Sequence, residues 1–196
     1  MKWLAYASLT LLLVSPAGRA QDKPRETPWF PLQIGNTWTY KDSAGQRIVL
    51  KVKSYEKVDN IPTARIEMSQ ADKVLSSENI GVTESGVYRY RFNEQKPDKP
   101  VLVLKLPPKK GDEWKLDVKA LGEPLVGTFK VDEKEVKVPA GTYKTFTVAS
   151  EDLEAAKMKT PCTLYFAENV GLVKMEVKIS GQDIVLELEK FEPGKK

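Results

Sequence analysis

The side chains in this chain that could do chemistry are mostly carboxylates and aromatics. Its 196 residues hold 27 Asp and Glu, 31 Lys and Arg, a single cysteine and no histidine. Without imidazole there is no Ser-His-Asp or Cys-His relay, and a zinc site lacks ligands that Cys162 alone does not replace. Neither familiar glycine-rich phosphate loop is present, nor an Asp-rich calcium loop. A hydrolase built on two carboxylates needs only Asp and Glu and stands as an alternative. The acids, however, mostly alternate with apolar residues, as solvated strand charges do. The expectation is a chain with no catalytic residue, no metal site and no cofactor. Cys162, beside Pro161, reads as a small buried side chain; a thiol nucleophile needs a basic partner.

The aromatics are the better candidates. Trp38 and Tyr40, then Tyr88, Tyr90 and Phe92, then Trp114, recur at alternate positions of apolar-polar patterns. All six could line a concave face, with Trp38, Tyr40, Tyr88, Tyr90 and Trp114 the residues expected to bind an apolar or elongated ligand there. The competing reading is core packing, where such rings contribute the most buried area. The polar tips of Tyr and Trp favour a partly wet surface, because each would otherwise need a buried partner.

The elements that must position these residues read as strands. Trp114, Leu116, Val118 and Ala120 alternate with Lys115, Asp117 and Lys119; Val173, Met175, Val177 and Ile179 alternate with Lys174, Glu176 and Lys178. A period of two is what a sheet with one buried face demands. Residues 101–106 are apolar on both faces, which predicts a central or doubly covered strand. In 125–138 the apolar phase flips, which predicts a bulge near 132–135. Only 150–159 (SEDLEAAKMK) favours a short helix. About a dozen short strands bounded by turn residues indicate an all-β antiparallel protein, a curved sheet as half-barrel or two layers. Two halves echo one another, 29–104 and 105–191: Gly35-x-x-Trp38 recurs as Gly111-x-x-Trp114, and Glu84-Ser85-Gly86 has a counterpart at Asn169-Val170-Gly171.

The start of the chain carries an address. Lys2, an apolar run at 3–14 and the small residues of Ser15-Pro16-Ala17-Gly18-Arg19-Ala20 have the layout of a signal peptide, residues 1–20. The run is too short for a membrane span, so no transmembrane segment is expected in the mature chain, and export to the periplasm or the outside is. Removing Lys2 and Arg19 lowers the formal charge from +4 to +2, without the basic stripe of a nucleic-acid binder. Residues 21–28 read as a flexible lead-in, 29–191 as one β domain and 192–196 as a polar tail.

Three stretches carry a resemblance: Phe30-Pro31-Leu32 with Gly35-Asn36-x-Trp38-x-Tyr40, then Val138-Pro139-Ala140-Gly141-Thr142-Tyr143, then Tyr165-Phe166-Ala167 with Val170-Gly171-Leu172-Val173-Lys174. In this order they resemble exported bacterial β-proteins of unknown function. Those are similar in shape to lipoprotein-localisation factors, whose curved sheet wraps an acyl chain. The resemblance implies a curved antiparallel sheet and carries over no catalytic residue, since those families have no assigned chemistry; the helices that plug the localisation factors have no counterpart here. The expected function is an exported binding protein for an apolar molecule or lipid, the alternative an envelope scaffold that meets another protein.

Overall fold

The computed structural model describes residues 22–195; the expected signal peptide lies outside them. Every element is a strand. The first meander runs through β1 (Thr37–Asp42), β2 (Arg47–Val58), β3 (Ile61–Gln70), β4 (Lys73–Val82), β5 (Gly86–Phe92) and β6 (Val101–Lys105). The chain continues into β7 (Glu113–Ala120), β8 (Glu123–Val138) and β9 (Gly141–Ser150), then a small hairpin of β10 (Glu154–Ala155) and β11 (Met158–Lys159). A second meander is completed by β12 (Cys162–Ala167), β13 (Gly171–Ile179) and β14 (Gln182–Glu192). Many of the hairpins turn on residue pairs with positive φ, such as Asp59-Asn60 and Ser180-Gly181. Their backbone twist matches that of the strands they join.

Pairing of β14 with β1 fuses the meanders into one antiparallel sheet of 14 strands. The sheet curls without closing. Its β6 and β7 margins approach at a seam, where the Lys105 ammonium donates to the Glu113 carbonyl at 2.8 Å. The loop before β6 crosses it too: Asp98 N donates to Lys119 O at 3.0 Å, and Lys119 N returns to the Asp98 carboxylate at 2.8 Å. Each meander opens with the same knot. Gly35 N donates to Val52 O and Val52 N to Asn36 O, at 2.9 and 3.0 Å; Gly111 N donates to Val131 O and Val131 N to Asp112 O, both at 2.8 Å.

Two sequence expectations are corrected, and a third is narrowed to one of its alternatives. Residues 150–159 form no helix: buried Leu153 anchors the β10–β11 hairpin, β10 pairs with β8, and Ala156 and Lys157 take positive φ. No bulge interrupts β8, whose register with β9 runs unbroken from Lys130 to Val138. Because alternate residues point to opposite faces, buried Phe129 and Val131 lie on one face of β8, buried Val136 and Val138 on the other. The strand is covered first on one side and then on the other. Nor is β6 central, since it ends the sheet; Val101, Val103 and Leu104 are nonetheless buried, the doubly covered alternative.

Both ends of the described chain lie against the sheet. Pro24 and Thr27 are buried, and Asn169 N donates to Pro28 O at 2.7 Å. At the other end Gly194 N donates to the Asn36 side-chain oxygen at 2.8 Å, while the Asn36 amide donates to Pro31 O at 3.0 Å. Buried polar groups need such partners, and Asn36 finds them by stapling the two ends together.

Candidate functional site

The concave face of the sheet encloses an apolar cavity of about 120 Å³. Trp38 and Tyr40 of β1, Leu50 of β2, Met68 of β3, Phe166 of β12 and Met175 of β13 are among its walls. A second space of about 300 Å³ opens at the seam between Pro97, Leu121, Leu125 and Ala155. Arg89 and Phe92 line both, so these two side chains form the wall that the spaces share. The outer space is at the lower end of small-molecule sites, roughly 300–1,000 Å³, and the inner one is smaller.

A local irregularity in β5 brings Arg89 and Phe92 inside. Ile80 of β4 pairs with Arg89 and Glu78 with Phe92, yet Asn79 pairs with Arg91, so Tyr90 is the extra residue of a bulge. Directly paired residues share a face, and Ile80 and Glu78 both line the inner cavity. The bulge therefore puts Arg89 and Phe92, three positions apart, on one wall. It also sends Tyr88 to the opposite face, paired with Gly81. A side chain on Gly81 would meet the Tyr90 ring at 2.7 Å; the glycine makes the bed in which that ring lies.

The polar groups at this junction are few. The Arg89 Nε donates to the Glu78 carboxylate at 2.5 Å, with Glu78 the more buried of the two. The Arg89 guanidinium carbon stands 5.9 Å from the centre of the Phe92 ring, within cation–π range. Burial, with the Glu78 charge as a lesser cause, raises the Tyr40 hydroxyl far above the ordinary phenol value.

The five aromatics singled out in the sequence do not form one surface. Trp38 and Tyr40 face the inner cavity, but their polar tips are not wet: Trp38 Nε1 donates to Val170 O at 2.6 Å and the Tyr40 hydroxyl to Leu172 O at 2.7 Å. Backbone carbonyls are the buried partners that the argument from side-chain polarity overlooked. Tyr88 and Tyr90 pack against one another at 6.3 Å on the other face. Trp114 stacks on Phe129 at 5.5 Å and lines neither space. Phe92, one of the aromatics read from the alternation, does line both spaces; sequence reasoning missed Arg89 and Glu78, since strict alternation groups Arg89 with the wet Arg91. Mid-strand Gly81, opposite an aromatic run, was the available signal of the bulge.

Other polar chemistry is sparse. Each of the two spaces has one carboxylate in its wall, Glu78 in the inner and Glu123 in the outer, so neither holds a carboxylate pair. Among the described residues no group of three or more His, Cys, Asp and Glu could hold a metal ion, and no helix is long and apolar enough to cross a membrane. Cys162 is half-buried, and burial pushes its thiol up to about 11. The densest ionic cluster is on the face opposite the cavity. There Arg65 meets Glu94 at 2.5 Å and Glu67 at 3.4 Å, beside Arg91 and Glu56.

No family model matches the chain, and no curated protein matches it at a significant level. Solved structures do. A crystal structure of a protein from Parabacteroides distasonis, provisionally described as a lipoprotein, is 15% identical with a TM-score of 0.51. The match covers 88% of this chain and all of that one. An exported protein with YmcC-like fold from Bacteroides fragilis, also a provisional description, is 16% identical over 84% of this chain and 99% of its own, with a TM-score of 0.49. At such identities the likeness to the Parabacteroides protein shows a shared fold.

Proposed function

We propose that this chain is an exported, non-catalytic protein of the bacterial envelope that holds an apolar or elongated small molecule inside its curled sheet. One observation carries the reading: the concave face holds an apolar space, with a larger space at the seam on the far side of Arg89 and Phe92. A stable core has no need of a void, because empty space forfeits dispersion contacts along its walls. Unlike an interlocked aromatic core, these walls leave room for a guest. The signal-like start at 1–20 supports export, as does the description of the Parabacteroides structure as a lipoprotein.

The test is native mass spectrometry of the mature protein purified from its host's envelope, followed by denaturing extraction of what it carries. A near-stoichiometric lipid or other apolar small molecule supports the reading. A bare protein that also takes up no neutral hydrophobic dye would sink it and leave an envelope scaffold, meeting a protein partner through its surface, as the reading to pursue.

A further inference from the structure

We propose that the ligand is a medium-chain carboxylate, its apolar chain in the inner cavity and its head group on Arg89. This rests on the reading of that cavity as a ligand site. Among the described residues, Arg89 is the one cation in the walls of either space. The Arg89 side chain is 36% exposed, so it lies at the rim of the apolar space with donors that a head group can take over from water. Glu78 takes Nε; among the described residues no side chain or backbone acceptor takes either Nη. The planar edge that carries those nitrogens matches a carboxylate in a two-bond fork.

The surroundings prepare this edge before any ligand arrives. Glu78 holds Nε at 2.5 Å and the Phe92 ring faces the guanidinium carbon at 5.9 Å, so little rotational freedom remains to be lost on binding. The charge balance selects the head group. With Glu78 already beside a single arginine, a monoanion completes the coordination, whereas a phosphate dianion adds more repulsion than one guanidinium offsets. The shape selects the tail. A void of about 120 Å³ bounded by Leu50, Met68, Val103, Leu164 and Met175 takes one slender chain rather than a diacyl lipid. The outer space at the seam, which Arg89 also borders, gives the head group its way in.

Displacement of the neutral dye N-phenylnaphthylamine by decanoate and by decanol separates this inference from the reading it rests on. In the wild-type protein decanoate should displace the dye at a concentration about tenfold below that of decanol, the gain expected of a charge-assisted pair. Arg89→Met should abolish that preference, bringing the ratio to about one. Arg89→Lys, which keeps the charge and loses the fork, should fall between. If neither compound displaces the dye, the carrier reading falls and this inference with it. If decanol binds and decanoate binds no better, or if Arg89→Met keeps the preference, the carboxylate anchor alone is overturned. The wild-type comparison and Arg89→Lys decide the matter even if Arg89→Met does not fold.

Discussion

The Tyr40 hydroxyl donates to the carbonyl oxygen of Leu172 at 2.7 Å, across 132 residues of chain. Trp38, two residues earlier, makes the matching bond to Val170 O at 2.6 Å. These bonds join the Trp38-x-Tyr40 stretch of β1 to the Val170-Gly171-Leu172 turn into β13, reaching over β14, which pairs with both strands. Two of the sequence landmarks are thus the two sides of one contact, and the contact lines the cavity.

Replacing Tyr40 by Phe keeps the ring and deletes the donor, leaving a buried carbonyl short of a partner. The expected cost is about 1–2 kcal/mol, read as a lower midpoint in urea with an unchanged slope. A variant as stable as the wild type would show that the Leu172 carbonyl finds another donor.

Alkaline pH should unfold this protein through its tyrosines. Burial and then the Glu78 charge raise the Tyr40 phenol; burial and the hydrogen bond to Glu176 raise that of Tyr165. Both folded values lie above the unfolded one of about 10. Their contribution is therefore complete below that pH and is lost as pH rises above it, because only the unfolded chain releases these protons. Phenolate absorbance should lag in part and appear together with the loss of circular dichroism. If every tyrosine ionised near its ordinary value in a still-native protein, the idea would fail.

Legibility followed the period of two. Where strands keep strict alternation, as in β7 and the first half of β13, the faces could be read directly. Where one residue is inserted they could not. A bulge at Tyr90 reverses the side of Arg89 relative to Phe92, and no alternation rule contains that information. The helix-favouring composition of Ser150 to Lys159 lost to tertiary context. Leu153 has a burial site beside β8, where a side chain on Gly127 would come within 2.9 Å of the Leu153 backbone. The cavity itself was the least legible feature, since sequence shows which residues are apolar but not where packing stops short.

Gly171 should resist substitution more than Gly122, a turn glycine with open space around it. Its φ is +87°, and an added Cβ would approach Pro31 Cδ at 3.2 Å and Phe30 Cα at 3.7 Å. Gly122 has nearly the same φ, +82°, with nothing within 4 Å. Gly122→Ala should lose only the conformational part, about 1 kcal/mol, and Gly171→Ala distinctly more. Equal losses would show that the segment around Pro31 yields freely.

Cys162 should behave as a structural thiol. With its value pushed up to about 11 by burial, little thiolate is present at neutral pH. Alkylation of the native protein should be roughly a hundredfold slower than in denaturant. Comparable rates would mean that β12 opens often enough to expose it.

Trp114 provides the converse of Tyr40. Its ring stacks on Phe129 at 5.5 Å with 14° between the planes, and the Lys105 ammonium lies 5.9 Å from its centre. Its Nε1, however, is buried with no acceptor among the described residues. A buried donor without a partner opposes folding, so Trp114→Phe removes a penalty while losing some stacked area. The two effects oppose one another, and the net change should stay within about 1 kcal/mol of zero. Trp38→Phe should cost clearly more, because it deletes the donor that serves Val170 O as well as ring area stacked on Phe191 at 5.3 Å. Parallel urea melts of the two variants check this. A loss at position 114 as large as that at 38 would mean that the Trp114 indole has an acceptor after all, most simply an ordered water held at the seam between β6 and β7.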